Sequence, residues 1–273
     1  MYEKYWDLSS RPFDNAFSEP FFFRSETHES AHLKLRYMVE NRLGLAVLSG
    51  GIGTGKSAVA SFLQYNLSES FNPFVHLVFP QMPAPEFLAY LGTKLGAEDR
   101  WSGRRAIDRT LRLIENRLRG FCEQGHRPTL IVDEAHLIDD VRVFECLQLL
   151  LNFHQDPGCS FSLILVGGLP LLGRLERMPQ LNDRVAIRST LEPLSHDETL
   201  RYIAQRLLAA GAQREIFLQS ALDAIWEHSG GIPRRINRLA DLALLVGYAD
   251  QLPVIGVDEI HAVAEELPSA IAA

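Results

Sequence analysis

The sequence predicts an α/β protein: a parallel sheet covered by helices on both faces, followed by a smaller all-helical domain. Three observations predict it. Short apolar runs of strand length alternate with segments of helical spacing up to about residue 194. The first such run, LAVLS at 45–49, leads directly into the glycine stretch SGGIGTGKS and then into a helix. From Ser195 onward the apolar runs of strand length stop, while helical spacing continues.

Each element follows from its local pattern. The chain starts with an aromatic-rich arm containing Tyr2, Tyr5, Trp6, Phe13, Phe17 and the run Phe21 to Phe23, too apolar to stay loose in water. SETHESAHLKLRYMVENR has helical spacing, with Ser25 or Thr27 suited to cap it. Gly44 opens LAVLS, and after the glycines Val59, Phe62, Leu63 and Leu67 recur at helical spacing. Then come FVHLVF as a strand, PEFLAYLGTKL as a helix, a long helix from about Arg104 to Cys122, TLIVD as a strand, a helix from Val141 to Phe153, and FSLILV as a strand. In SHDE, Ser195 and Glu198 form a capping box that opens the helical part. The expected division is residues 1–194, of which 1–43 are the arm and first helix, and residues 195–273 as the helical domain.

Composition bounds what the chain does. With 273 residues, 47% of them apolar and 22% charged, one sizeable core and a second, smaller one can be buried. The net charge of −7 excludes a field that would draw the whole molecule onto nucleic acid or an anionic membrane, so any such contact is local. Cys122, Cys146 and Cys159 have neither C-x-x-C spacing nor an even count, which argues against a disulfide framework or a zinc site. The start MYEKYWDLSSRPFDNAF lacks the basic-then-apolar layout of a secretory signal. The longest apolar stretch, Leu163 to Leu172, is interrupted by Gly167, Gly168 and Pro170 and falls short of the roughly 20 residues a bilayer span needs. A cytoplasmic location is the expectation.

The glycine stretch carries chemistry. Gly50-x-x-x-x-Gly55-Lys56-Ser57 satisfies the phosphate-loop pattern GxxxxGK[ST], in which Gly50, Gly51, Ile52, Gly53, Thr54 and Gly55 turn backbone N–H groups inward around phosphate oxygens. The positive end of the following helix adds to that attraction. Lys56 is placed to reach the β- and γ-phosphates and the Ser57 hydroxyl to coordinate Mg²⁺. A glycine turn that binds nothing explains the glycines alone, but not their position between a strand and a helix. TLIVDEAH ends its strand with Asp133, placed to hold the metal, and Glu134, placed to polarise a water for attack on the γ-phosphate. No N-K-x-D segment for guanine is present, which favours ATP over GTP. The letters DEAH also occur in helicases, but the residues after Leu194 are helical and too few for a second nucleotide-closing domain.

Several stretches together resemble AAA+ ATPases, and within them the ExeA/GspA-like group associated with bacterial secretion and envelope assembly: the arm YEKYWDLSSRPFDNAFSEPFFFRSETHESA, GGIGTGKS, LIVDEAH, LVGGLPLLGRL, LNDRVAIRSTLEPLSHDETLRYIAQRLLAAG and GGIPRRINRLADLAL. The resemblance spans nearly the whole chain. It implies that the helical domain is a lid, that Arg184 is a finger donated to the ATP of a neighbouring subunit, with Arg188 as second candidate, and that Arg234 reaches the phosphates from the lid. It also exposes a departure. Where the group usually has a polar residue after the fourth core strand, this chain has Gly167-Gly168-Leu169, and glycine cannot orient an attacking water. Slow hydrolysis, or compensation by a neighbouring residue, is the consequence to expect.

The resulting expectation is an ATP- and Mg²⁺-dependent AAA+ ATPase working as a homo-oligomeric ring or filament, in the assembly of a secretion or envelope-polysaccharide apparatus. Two other readings compete with it. Arg105, Arg109, Arg112 and Arg119 fall in line on one helix, joined by Arg100 and Arg104, as in a DNA-transposition helper ATPase tracking a nucleic-acid backbone, although Asp108 and Glu115 interrupt the field. Gly168 suits an ATP-gated adaptor that barely hydrolyses. The nine histidines show no metal-ligand spacing, and His136, beside the acidic pair, reads as a packing or hydrogen-bonding residue.

Overall fold

The computed structural model describes residues 1–78, 80–97, 107–155 and 158–267. Five parallel strands form one sheet in the order β2-β3-β4-β1-β5, with β1 at Leu45–Gly50, β2 at Phe74–Leu77, β3 at Thr129–Val132, β4 at Ser162–Gly167 and β5 at Val185–Leu191. Every residue of β1, β3 and β4 is buried. Since successive strand side chains point to opposite faces, unbroken burial means that helices and loops cover both faces of the sheet's middle. The helices are α1 (Glu26–Glu40), α2 (Lys56–Asn66), α3 (Ala84–Lys94), α4 (Ile107–Glu123), α5 (Val141–Leu151), the short α6 (Pro170–Glu176) and α7 (Pro179–Asn182), then α8 (His196–Ala209), α9 (Gln219–Ser229), α10 (Pro233–Ala249) and α11 (Val257–Glu266).

The expected apolar runs are β1 to β4. The apolar pattern predicts no strand between FSLILV and Ser195, yet VAIRSTL pairs in parallel along the free edge of β1, Ala46 opposite Ile187 and Gly50 opposite Leu191. As an edge strand it is only partly buried, so Arg188, Ser189 and Thr190 break the apolar run by which strands are recognised. The long helix expected from about Arg104 starts at Ile107 among the described residues; Arg100, Arg104 and Arg105 lie outside them.

Contacts divide the chain into two units, one made of Met1–His28, Gly53–Gly55 and the chain from Glu192 onward, the other of Glu29–Ile52 and Lys56–Leu191. The switch near residue 191 lies close to the expected 194, but the arm differs. Chain order groups it with the sheet, whereas residues 1–28 pack with the C-terminal helices. The reason is local chemistry. Trp6 is fully buried and donates Nε1–H to the Leu244 carbonyl at 2.9 Å, Tyr5 donates its hydroxyl to the Leu252 carbonyl at 2.7 Å, and Phe13 stands edge-on to Phe217. The buried Arg206 guanidinium donates to the carbonyls of Pro12 and Asp14, so one charge on α8 satisfies backbone groups of a stretch of the arm that lies outside any helix or strand. In the other unit the core gathers around β1, β3 and β4 with Phe87, Leu91, Ile114, Leu118, Phe144 and Leu147 from α3, α4 and α5. Cys146 and Cys159 are buried free thiols and Cys122 is half-buried.

Candidate active site

Strand order fixes where chemistry can occur. In a parallel sheet the strands' carboxyl ends share one edge, and β4 lies between β3 and β1. The glycine loop leaves the end of β1, the acid pair leaves the end of β3, and Gly167-Gly168 leaves the end of β4 between them.

Gly50 ends β1 and Lys56 starts α2. Gly53 at φ +79° and Gly55 at φ +99° occupy backbone regions that L side chains rarely adopt, which is what turns the loop back on itself. The Lys56 ammonium, buried, donates to the carbonyls of Gly50 at 3.2 Å and Gly51 at 2.8 Å. The tip has its own supports. His28 Nε2 is 2.8 Å from the Thr54 carbonyl, which can only accept, so the ring hydrogen sits on Nε2 and Nδ1 accepts from the Ser25 hydroxyl at 2.6 Å. Burial pushes the His28 imidazole below its usual value, against the opposing pull of its bond to Thr54. The Arg234 backbone N–H, at the start of α10, donates to the Gly53 carbonyl at 3.3 Å.

Ser57, Asp133 and Glu134 come together. The Ser57 hydroxyl donates to Asp133 Oδ2 at 3.1 Å, His76 Nε2 approaches the same oxygen at 3.2 Å, and the Glu134 backbone N–H donates to Oδ1 at 2.9 Å. Burial alone raises the Asp133 carboxyl, but these hydrogen bonds outweigh it and hold it below the usual carboxylate range. Adjacent ligands of an octahedral Mg²⁺, at about 2.0–2.1 Å from the ion, lie about 3 Å apart. Ser57 Oγ and Asp133 Oδ2 therefore already have the spacing of two neighbouring ligands. Glu134 stands at φ +51°, a left-handed conformation that is uncommon for a non-glycine residue, and its carboxylate is partly open to solvent. His136 lies beside it, with Nδ1 3.2 Å from Glu134 Oε2.

The two finger candidates stay apart from this cluster among the described residues. Arg184 donates to Asn152 Oδ1 and, at 3.5 Å, to the Gln148 carbonyl, at the C-terminal end of α5. Arg188, exposed on β5, donates to Asn182 Oδ1. Sequence reasoning missed the roles of His28 and His76. His76 had a signal, a polar residue inside the apolar run FVHLVF, and His28 had another, its placement three residues after the helix-capping Ser25.

A five-stranded parallel sheet with a glycine loop after β1, an acid pair after β3 and a helical C-terminal region makes this chain an AAA+ P-loop protein. The AAA domain family matches residues 40–175. Over 254 residues the chain is 32% identical to General secretion pathway protein A of Aeromonas hydrophila, a match covering 91% of this chain and 45% of that protein. The resemblance to the ExeA/GspA-like group thus holds across nearly all of the chain, which spans less than half the length of that relative. Among solved structures it is similar to the ORC2 protein of Aeropyrum pernix in its ADPNP-ADP complexes, with a TM-score of 0.75 at 18% identity, covering 94% of this chain and 72% of that one. Cdc6p of Pyrobaculum aerophilum gives a TM-score of 0.74 at 16% identity, covering 93% and 70%. At such identities the likeness is one of fold. Among the described residues no helix is long and apolar enough to cross a membrane.

Proposed function

We propose that this chain binds ATP with Mg²⁺ at residues 50–57 and hydrolyses it, acting as a nucleotide-dependent oligomer in the assembly of a secretion or envelope apparatus. The observation that carries the reading is the Ser57–Asp133 hydrogen bond at 3.1 Å, the spacing of two metal ligands, with the Glu134 carboxylate on the next residue. The similarity to General secretion pathway protein A supports the setting.

In this reading Lys56 exchanges its carbonyl partners for the β- and γ-phosphates, while the amides of Gly51 to Gly55 line the phosphate chain. Mg²⁺, when bound by Ser57 and Asp133, neutralises charge on the β- and γ-oxygens. The hydrogen bonds from His76 and the Glu134 amide keep Asp133 ionised and aimed at that position. Glu134 accepts the proton of the attacking water. Arg184 serves the ATP of a neighbouring subunit, and Arg234, tied through its backbone to the loop at Gly53, relays nucleotide state to the helical unit.

Calorimetric titration with ATP and Mg²⁺ tests the reading. Binding is expected in the unaltered protein and in Glu134→Gln, and is expected to vanish in Lys56→Ala. Single-turnover hydrolysis should fall at least about 10²-fold in Glu134→Gln; equal rates would instead favour an ATP-gated adaptor. The exposed Arg109 and Arg112 on α4 support a second reading, a DNA-binding helper ATPase, although Arg119 is taken up by Glu115 at 3.1 Å. ATPase stimulation by DNA that is lost in Arg109→Glu with Arg112→Glu would select it.

A further inference from the structure

The end of β4 carries no side chain, and His136 fills the space. A Cβ placed on Gly168 would stand 3.3 Å from both Cδ2 and Nε2 of His136, and one on Gly167 would stand 3.1 Å from the His136 backbone nitrogen and 3.3 Å from Nδ1. The left-handed turn at Glu134 leads into the short 3₁₀ helix Ala135–Leu137, which lays the imidazole back across the two glycines. There the Gly168 N–H donates to His136 Nδ1 at 3.0 Å.

That bond settles what the ring can offer. A nitrogen that accepts a backbone N–H bears no proton, so the ring hydrogen is on Nε2. The 3.2 Å approach of Glu134 Oε2 to the same Nδ1 is then a contact of neighbours, since the one in-plane lone pair is already given to Gly168. The Glu134 carboxylate keeps its lone pairs for another group. His136 Nε2–H has no hydrogen-bond partner among the described residues, and the side chain is 21% exposed. A proton acceptor and a proton-bearing donor thus stand side by side at the ends of β3 and β4.

We propose that His136 is a catalytic residue whose Nε2–H orients the attacking water for Glu134, doing from one loop what Gly168 cannot do from the next. This rests on the ATPase reading above. A water that gives one hydrogen to a carboxylate is still free to swing about that bond. A donor on one of its lone pairs leaves the other lone pair as the only one free to attack, and fixes its direction. In the step itself the water oxygen bonds to the γ-phosphorus, and the bond from that phosphorus to the β–γ bridging oxygen breaks. The bonding electrons stay on ADP and the water proton passes to Glu134. His136 gains and loses no proton.

Two amide variants separate this role from a structural one. His136→Asn places an amide oxygen near the Nδ1 position, keeping the partner of the Gly168 N–H but losing the Nε2 donor. His136→Gln places its amide nitrogen near Nε2 and restores the donor. ATP affinity is read by calorimetry with Mg²⁺, and hydrolysis by single turnover. The expected result is an affinity within about twofold of the unaltered protein for both variants, a rate about 10²-fold lower in His136→Asn, and recovery to within about tenfold in His136→Gln. If His136→Asn hydrolyses at the unaltered rate, or if affinity falls together with rate, or if His136→Gln is the slower of the two, the ring serves packing and the proposal is overturned. Failure of the parent reading looks different: the unaltered protein would bind no ATP, or bind it and fail to turn it over.

Discussion

At the scale of single residues, two side chains are held in states they would not choose alone. Glu134 adopts φ +51°, which costs an L residue about 1 kcal/mol, and keeps a carboxylate where a glycine would sit more easily. Glu134→Gly should therefore be more stable than Glu134→Ala by about 1 kcal/mol, although both lose the carboxylate. Urea denaturation of the pair checks this, and equal midpoints would mean that the turn relaxes. His28 is buried and neutral beneath Thr54. Its burial lowers the folded-state value, so on acidification the unfolded chain takes up the proton first. The stability it contributes is present above the ordinary histidine value of about 6.5 and is lost as pH falls below it. The loss of stability between about pH 7.5 and 5.5 should accordingly be smaller in His28→Gln than in the unaltered chain, as measured by urea midpoints.

At the scale of elements, the arm and α10 show how an irregular segment is fixed. Trp6 lies against Gly247, where an added Cβ would come within 2.8 Å of Trp6 Cζ2 and 3.1 Å of Ile255 Cγ1. Gly247 is thus a groove for the indole. Trp6→Ala is expected to destabilise the helical unit by about 3–5 kcal/mol, and Gly247→Val by about 1–3 kcal/mol through overpacking; proteolysis and denaturant midpoints measure both. A freely tethered arm would leave the midpoints unchanged. The same scale shows why β1, β3 and β4 were legible and β5 was not. A strand buried on both faces must be apolar throughout, whereas VAIRSTL, on the edge, is asked for much less by its surroundings. β2, on the opposite edge, stayed legible because its outer positions are apolar apart from His76. The capping box at Ser195 and Glu198 was legible because it is closed by residues three apart, and both of its bonds are present in α8.

At the scale of the whole molecule, the test is whether subunits complete each other's sites. Arg184 rests on Gln148 of its own α5 and on Asn152, which caps that helix, so a role in a neighbour requires it to change partners on assembly. Mixing Arg184→Ala with Glu134→Gln, each inactive alone, should restore hydrolysis in mixed oligomers, because some sites then receive an intact finger and an intact base. Absence of any recovery, with both variants still binding ATP and assembling, would place Arg184 in a purely structural role and turn attention to Arg188.

The sequence by itself determined the strand-loop-helix order, the residues of the phosphate loop, the acid pair and the start of the helical part, since each depends on spacing within a few neighbouring residues. Only the tertiary structure decided that the arm packs with the C-terminal helices, that VAIRSTL closes the sheet beside β1, that His76 shares Asp133 with Ser57, and that His136 lies across Gly168. Those contacts join residues brought together by strand order and by burial. A side chain meets such partners only after the chain has folded, so no local pattern records them.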